Sequence, residues 1–349
     1  MLEVAFGVPG DLETPTGGYA YARRLLRLLP DFGVNATHLR LPGSFPHPTA
    51  GDLRETARLL REARGDVLLV DGLALGAIPA EPLAAAAQSR TLVGLVHHPL
   101  ALESGLNPQT QAELMASEAA ALALAARVIA TSPLTARLLT ADFNVAAEKI
   151  AVAEPGTEPA PRARGTGAPV SMLAVGAVSP RKGCEVLVRA LAELRELGWR
   201  LTIAGSLERS LEAAASLRKV IAGSGLAERV TLAGAVGEAE LDLLYDSADL
   251  FVSPTLYEGY GMVLAEAMAR GLPLVASSGG AAAETVLDGA GPKVPPGDVP
   301  ALRDALRDMI ADPALRRRCA DASWAAGQEL PRWTDTARKV AAVLHEPAR

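Results

Sequence analysis

The sequence predicts an α/β protein built from two doubly wound, Rossmann-like domains with parallel sheets. Short runs of Val, Leu and Ile alternate with longer stretches in which apolar residues recur every three or four positions, a pattern typical of βαβ units. Most of the short runs are apolar throughout, as expected for strands that helices cover on both faces. The 349 residues suit two domains of roughly 150 residues or more better than one hydrophobic core.

The apolar runs define the predicted strands. In chain order they are Leu2–Phe6, Val67–Val70, Thr91–Val96, Val128–Ala130, Met172–Val175, Leu201–Ala204, Val230–Ala233, Leu250–Val252 and Leu274–Ala276. The stretches between them predict helices. The spacing is clear at Ala22, Leu25, Leu26 and Leu29, which share one face of a helix.

One segment interrupts this alternation. Residues 154–169, EPGTEPAPRARGTGAP, are dense in Pro, Gly and small side chains and lack periodicity, which predicts an interdomain linker. We therefore predict domains over residues 1–160 and 161–330, with the ligand in a cleft between them. Residues 331–349 contain a further predicted helix that begins near Pro331.

Composition excludes several classes of protein. A net charge of −6 and a pI near 5.5 argue against a nucleic-acid partner. The two cysteines, Cys184 and Cys319, lack a CxxC pattern, which argues against a disulfide framework or zinc site and favours a reducing compartment. The N-terminus lacks signal-peptide features, and no apolar stretch is long enough to span a bilayer. We therefore expect a cytoplasmic protein.

The second predicted domain contains a distinctive strand–loop–helix segment, LFVSPTLYEGYGMVLAEAMARG. Glu258 lies in the loop, and Glu266 lies more than a turn inside the helix that begins near Gly261. Gly259 and Gly261 allow a ligand to approach the backbone, and the helix start favours a phosphate. The spacing suits two hydroxyl-rich groups on either side of a phosphate, as in a nucleotide sugar. The alternative is that Glu258 is solvated and that Glu266 only caps a turn of a surface helix.

A second strand–loop–helix segment, MLAVGAVSPRKGCEVLVRAL, carries two cations. Lys182 lies in the loop beside Gly183, where it is well placed to neutralise a diphosphate at the carboxyl edge of a parallel sheet. Arg181 precedes it, and a solvated side chain is a reasonable alternative for this arginine.

The first predicted domain offers two weaker signals. Gly17 and Gly18 open a helix and present backbone N–H groups to an anion, although ordinary turns use the same pair. This loop contains no GxGxxG, which weighs against a dinucleotide oxidoreductase. His97 and His98 follow a strand, without the Cys or carboxylate neighbours that a metal site requires. A structural role for at least one imidazole is the alternative.

These motifs together resemble retaining glycosyltransferases of the GT-B fold, family 4 (GT4). EGYGMVLAE matches the family's pair of Glu residues separated by seven positions, and VGAVSPRKG matches its Gly–x–x–x–Pro–x–Lys–Gly segment. PLVASSGGAAAETV, KVPPGDVPALRDAL and WTDTARKV are similar to its later blocks. The resemblance covers essentially the whole second domain. The family commonly has Arg at the position of Ala177, so the chain departs from it there.

The resemblance implies roles for the candidate residues. Glu266 is expected to hold the ribose, Glu258 the donor sugar and Lys182 the diphosphate, and one of the two adjacent histidines is expected to contact the sugar or the leaving phosphate. We favour His97 because it directly follows the strand. The implied donor-binding set is Gly17, Gly18, Arg181, Lys182, Glu258, Gly259, Tyr260, Gly261 and Glu266, and the implied catalytic set is His97, His98, Glu258 and Lys182.

The function implied is transfer of a sugar, with retention, from a nucleotide-diphosphate donor to an acceptor hydroxyl, without a metal or other cofactor. Residues 1–160 would bind a sugar, lipid or small-molecule acceptor, and the last helix would return to that domain. Arg23 and Arg27 on a leucine-striped helix leave peripheral membrane contact open. The alternatives are a phosphorylase-like enzyme or pseudo-glycosyltransferase with an unusual donor, and a non-catalytic GT-B binding subunit.

Overall fold

The computed structural model describes residues 1–103 and 105–346. The chain divides into two compact units. Met1–Gly156 and the segment from Pro331 onward form the first unit, and Thr157–Leu330 form the second. The segment predicted as a linker has no helix or strand, but its second half is fixed to the second unit, where Asp249 accepts hydrogen bonds from the backbone N–H groups of Thr166 (3.0 Å) and Gly167 (2.8 Å).

Parallel strands form the sheet of the first unit, in the spatial order β2-β1-β3-β4-β5-β6. They are β1 (Leu2–Pro9), β2 (Val34–Leu41), β3 (Val67–Asp71), β4 (Thr91–Val96), β5 (Arg127–Ala130) and β6 (Ile150–Val152). Strand order reverses between β1 and β3, because β1 pairs with both β2 and β3. Such a reversal leaves a crevice at the carboxyl ends of the strands, where open α/β sheets bind ligands.

Helices on both faces of this sheet bury its apolar strands. They are α1 (Gly17–Leu28), α2 (Ala50–Glu62), α3 (Gly72–Leu75), α4 (Ala80–Ala87), α5 (Pro108–Leu124) and α6 (Pro133–Phe143). Local sequence fixes where several of them begin, since the side chains of Thr16, Asn107 and Ser132 each accept a hydrogen bond from a backbone N–H of the following first turn.

The second unit repeats the plan, with the spatial order β12-β11-β10-β7-β8-β9. Its strands are β7 (Val170–Val175), β8 (Trp199–Ala204), β9 (Val230–Gly234), β10 (Leu250–Ser253), β11 (Leu274–Ser277) and β12 (Lys293–Val294). Here the order reverses between β7 and β10, which are neighbours in the sheet. The loops that follow these two strands therefore leave the sheet side by side.

The helices of the second unit cover two separate cores, one on each face of its sheet. The helices are α7 (Cys184–Ala192), α8 (Leu211–Gly223), α9 (Glu238–Ser247), α10 (Met262–Ala269), α11 (Ala282–Thr285), α12 (Val299–Ala311) and α13 (Pro313–Gln328). Trp199 is buried in one core, and Tyr245 and Phe251 stack in the other, with ring centroids 5.8 Å apart.

The last helix, α14 (Trp333–His345), belongs to the first unit. Trp333 packs edge-on against Tyr21 of α1, with ring centroids 5.6 Å apart. The Thr336 hydroxyl donates a hydrogen bond to the carbonyl of Glu154 at 2.7 Å. The segment after Pro331 thus completes the core of the unit in which the chain begins.

Candidate functional site

The loop between β10 and α10 carries a buried carboxylate. Only 7% of Glu258 is exposed. Its backbone pairs with the SSGG loop that follows β11, residues 277–280. The N–H of Glu258 donates to the Gly279 carbonyl at 3.2 Å, and its carbonyl accepts from the Ala281 N–H at 2.8 Å. Gly280 has a φ of +65°, and a Cβ there would clash with the backbone of Glu258. The SSGG loop therefore holds Glu258 in place through main-chain contacts.

Two cations flank this carboxylate. Lys182 donates through Nζ to Oε1 of Glu258, and Nη1 of Arg181 lies 3.5 Å from Oε2. Arg181 also donates to the carbonyl of Tyr257 at 2.6 Å. Burial raises the pKa of Glu258, but the charges of Lys182 and Arg181 outweigh this effect and hold that pKa below its usual value. Glu258 is therefore an ionised carboxylate at neutral pH.

The loop after β7 is shaped so that Lys182 reaches Glu258. Residues Pro180–Lys182 form a single 3₁₀ turn that ends at Gly183, whose φ is +64°. A Cβ at Gly183 would clash with the carbonyl of Pro254 in the neighbouring loop, so the two loops approach closely only with glycine here. Ala177 lies in the same loop and adds no charge at the position where the resembled family commonly has arginine.

Helix α10 begins four residues after Glu258. Its N-cap is Gly261, with a φ of +95°, and no side chain caps the first turn. The first-turn N–H groups can therefore bind an anion. Tyr260 is buried, and its carbonyl accepts a hydrogen bond of 2.5 Å from the Thr285 hydroxyl, which fixes the turn through Gly259.

Glu266 belongs to a different cluster. The hydroxyl of Tyr245, a fully buried residue of α9, donates to Oε2 of Glu266 at 2.9 Å. The guanidinium of Arg270 lies over the Tyr245 ring, 4.4 Å from its centroid, and pairs with Asp242 at 2.5 Å. Burial, together with the negative charge of Glu266, raises the pKa of Tyr245 well above its usual value. Tyr245 is thus a permanent hydrogen-bond donor that orients this carboxylate.

In the first unit, the start of α1 lies against the imidazole of His97. Thr16 caps the helix by accepting from the Tyr19 N–H at 3.3 Å. A Cβ built on Gly18 would lie 3.5 Å from Cδ2 and Nε2 of His97, an ordinary contact distance. The structure therefore brings Gly18 and His97 together at the carboxyl edge of the first sheet, with Gly17 as the first residue of the helix.

The imidazole of His97 also contacts two residues that the sequence analysis did not single out. Its Nε2 lies 3.3 Å from Oδ2 of Asp71, the last residue of β3. The ring of Tyr21 meets it edge-on, with centroids 5.3 Å apart. His98 is half-buried beside it. The sequence did contain a signal for Asp71, because it is an acid at the end of an otherwise apolar strand, VLLVD.

Two further properties concern metals and membranes. Among residues 1–103 and 105–346, no three His, Cys, Asp or Glu side chains gather into a group that could hold a metal ion. Metal independence stays a prediction. No helix in the same described part of the chain has the length and apolar character needed to cross a membrane.

The family match to known proteins lies within the second unit. Residues 169–312 match the family model described as "Glycosyl transferases group 1". The MMP alpha-(1->4)-mannosyltransferase of Mycolicibacterium hassiacum is 30% identical over 319 residues, which cover 86% of this chain and 76% of the relative. The chain spans only 39%, 49% and 37% of the lengths of three other curated relatives.

Solved structures share the complete fold. Sucrose-phosphate synthase from Thermosynechococcus elongatus superposes with a TM-score of 0.81 at 21% identity over 98% of each chain. HepE from Anabaena, in complex with UDP-glucose, superposes with a TM-score of 0.74 at 20% identity, again over 98% of each chain. Together with the two parallel sheets, these neighbours confirm the predicted α/β fold of the GT-B class.

Proposed function

Because the chain belongs to the group 1 glycosyltransferases, a family of GT4 type with the GT-B fold, we propose that it transfers a sugar from a nucleotide-diphosphate donor to an acceptor hydroxyl with retention of configuration. The observation that carries this proposal is the buried, ionised Glu258 between Lys182 and Arg181, at the point where strand order reverses in the second sheet. Open α/β sheets bind their ligands at such points.

The cluster around Glu258 has the charges that a donor requires. The carboxylate of Glu258 and the ammonium group of Lys182 form an ion pair. A diphosphate offers Lys182 a competing anion, and the hydroxyls of the donor sugar offer Glu258 new hydrogen-bond donors. Binding thus replaces one internal ion pair with two interactions to the ligand. The open first turn of α10 supplies further N–H groups to the diphosphate.

Arg181 has a different task from the arginine that the family usually carries at the position of Ala177. Its guanidinium is already bound to the Tyr257 carbonyl and close to Oε2 of Glu258. We propose that it stays there as the counter-ion of Glu258 while Lys182 moves to the diphosphate. The buried carboxylate then never lacks a positive neighbour, which would be costly in a site so little exposed.

The ribose is assigned to Glu266. Carboxylate oxygens accept hydrogen bonds from paired hydroxyls, and the permanent donor Tyr245 fixes the rotamer of Glu266 before the ligand arrives. In the first unit, the start of α1 at Gly17 and Gly18 is assigned to a phosphate and His97 to the reacting sugar.

The chemistry follows from these charges. The bond between the anomeric carbon and the leaving phosphate oxygen breaks, and its electron pair goes to the diphosphate. Lys182 and the helix N–H groups stabilise the negative charge that develops there. The acceptor oxygen bonds to the anomeric carbon on the same face, and its proton passes to the leaving phosphate oxygen. The protein supplies fixed charges and no covalent intermediate, and no metal ion enters the balance.

The first experiment is a thermal-shift titration with UDP, GDP, ADP, TDP and CDP. A ligand that binds only the folded state at a concentration 100 times its Kd stabilises the protein by about 2.7 kcal/mol. One nucleotide should raise the melting temperature, and Lys182→Met should abolish the shift. Lys219→Met, which removes an exposed lysine of α8, is the matched control and should preserve it. If none of the five nucleotides stabilises the protein, the donor assignment fails.

Turnover then tests the transfer itself. Glu258→Gln keeps the shape of the side chain but removes its charge, and should lower turnover about 100-fold or more, the scale on which one electrostatic group acts in an active site. Retention is read from the anomeric configuration of the product by NMR. Activity that disappears in chelator and returns with a divalent ion would contradict metal independence. Cleavage by added phosphate would instead indicate a phosphorylase-like enzyme.

The acceptor is proposed to be a hydroxyl of a sugar, a lipid or another small molecule, and the location is proposed to be the cytoplasm. Peripheral membrane contact through Arg23 and Arg27 of α1 stays a separate prediction. In the structure the leucine stripe of this helix packs inward, with Leu25 fully buried. Failure to co-sediment with anionic vesicles would remove the membrane hypothesis without touching the glycosyltransferase proposal.

A further inference from the structure

Asp71 is a buried acid at the carboxyl edge of the first sheet. It is 3% exposed and pairs in register with Leu95 of the neighbouring strand β4. This register places it beside His97, the residue that follows β4. A buried carboxyl group is stable only when its oxygens have hydrogen-bond or charged partners, so the partners of Asp71 reveal its task.

The two oxygens of Asp71 have different partners. Oδ1 accepts a hydrogen bond from the Leu73 N–H at 2.9 Å and so caps α3. Oδ2 lies 3.3 Å from Nε2 of His97. That nitrogen is buried, and the ring is turned so that the pair lacks full hydrogen-bond geometry. Oδ2 of Asp71 is nevertheless the carboxylate oxygen that faces this buried nitrogen.

Two further contacts hold His97, one to its ring and one to its backbone. Tyr21 meets the ring edge-on and is itself fixed by donating to the Ala153 carbonyl at 2.9 Å. The backbone carbonyl of His97 accepts from the Thr135 hydroxyl at 3.2 Å. The His97 side chain keeps 28% of its surface exposed although Nε2 is buried, so the exposed part is not the edge that carries Nε2.

We propose that Asp71 is a positioning residue that fixes the proton of the neutral His97 imidazole on Nε2 and leaves Nδ1 as an acceptor for a ligand hydroxyl. A carboxylate oxygen only accepts hydrogen bonds, so the ring must present an N–H to it. The second nitrogen of a neutral imidazole then carries a lone pair. A lone pair accepts from a hydroxyl and is repelled by a phosphate oxygen. His97 therefore contacts a sugar hydroxyl and not the leaving phosphate.

Asp71→Asn isolates this role. Asparagine keeps the Oδ1 atom that caps α3, and it is as good an N-cap as aspartate. It replaces Oδ2 with an NH₂ group, which donates to Nε2 instead of accepting from it. The proton of the neutral ring should therefore move from Nε2 to Nδ1. Correlation of ring protons with ring ¹⁵N nuclei by NMR, at alkaline pH and with His97 assigned through His97→Gln, reports which nitrogen is protonated.

Three results decide the proposal. Wild-type protein should show a protonated Nε2, Asp71→Asn a protonated Nδ1, and Asp71→Ser, which keeps a cap but does not reach the ring, an average of the two forms. Asp52→Asn, at an exposed carboxylate in the capping box of α2, is the matched control and should give the wild-type pattern. A wild-type ring protonated on Nδ1, or no change in Asp71→Asn, overturns the assignment.

The proposal rests on the glycosyltransferase function only where it names a sugar hydroxyl as the ligand. The NMR measurement uses the full chain without donor or acceptor. Absence of nucleotide binding would therefore overturn the proposed function and leave the tautomer result intact. An unchanged tautomer in an active transferase would overturn the role of Asp71 alone.

Discussion

Replacing Glu118 with Gln should flatten the pH dependence of the stability of the first unit. Glu118 lies on α5 and is 3% exposed. Its Oε1 accepts from the Leu100 N–H at 2.8 Å and its Oε2 from the Ala101 N–H at 2.9 Å, which anchors the segment just after the His97–His98 pair. Burial raises the pKa of Glu118 from 4.5 to about 7, although the two backbone hydrogen bonds act to lower it.

The magnitude follows from this shift. One pKa unit corresponds to about 1.4 kcal/mol, so a shift from 4.5 to about 7 is worth on the order of 3 kcal/mol. Across this pH range the folded state keeps the Glu118 proton while the unfolded state loses it. The contribution of Glu118 to the free energy of unfolding is therefore greatest below the unfolded pKa, falls as pH rises, and is constant above about pH 7. Glutamine does not titrate and has no such slope.

The assay is urea-dependent hydrogen exchange of peptides from β4 and β5, which reports on the first unit alone. Wild type and Glu118→Gln are compared from about pH 5 to pH 8, the range in which the linkage acts. Their difference in unfolding free energy should change by on the order of 3 kcal/mol over that range. Glu113→Gln, an exposed position on the same helix, is the matched control. Parallel profiles for wild type and Glu118→Gln would refute the reasoning.

Three further predictions concern the second unit. Gly183→Ala places a Cβ on a residue in the left-handed region and against the carbonyl of Pro254. It should therefore lower the free energy of unfolding by about 1–3 kcal/mol and the melting temperature by several degrees. An unchanged melting temperature would contradict this. Tyr245→Phe removes the hydrogen bond to Glu266, which is worth about 0.5–1.5 kcal/mol. The Kd of the nucleotide, measured by calorimetry, should therefore rise roughly 2- to 10-fold. An equal affinity would argue against the assignment of Glu266 to the ribose. Lys182→Met leaves the buried Glu258 with one cation. Its loss of unfolding free energy should be larger at neutral pH, where Glu258 is ionised, than below pH 4.5, the ordinary pKa of a glutamate; equal losses at both would count against the ion pair.

Continuous apolar runs made most strands predictable. A strand buried on both faces is made mostly of apolar residues, so VLLVD and LFVS stand out from the helices around them, although each ends in a buried polar residue. Strand β2, VNATHLRL, was missed because it is an edge strand and several of its polar side chains are partly exposed. Strands β6 and β12 were missed because they are edge strands of only three and two residues.

The candidate site was predictable where its residues follow a local motif. The spacing of Glu258 and Glu266 and the loop position of Lys182 can be read along the chain. Asp71 and Tyr245 were missed because their contacts involve residues distant in sequence. Tyr245 and Glu266, for example, are 21 positions apart. Asp71 meets His97 because β3 and β4 are neighbours in the first sheet, and Tyr245 meets Glu266 because α9 and α10 share one core of the second unit.

The return of α14 to the first unit has a consequence for synthesis on the ribosome. The second unit, Thr157–Leu330, is continuous in sequence, so all of its residues have been translated before Pro331 is added. The first unit begins to emerge earlier, but Tyr21 and the Glu154 carbonyl acquire their partners Trp333 and Thr336 only afterwards. The unit that starts first is therefore completed last, and a chain released from the ribosome just before α14 contains every residue of the second unit but lacks the last helix of the first unit's core.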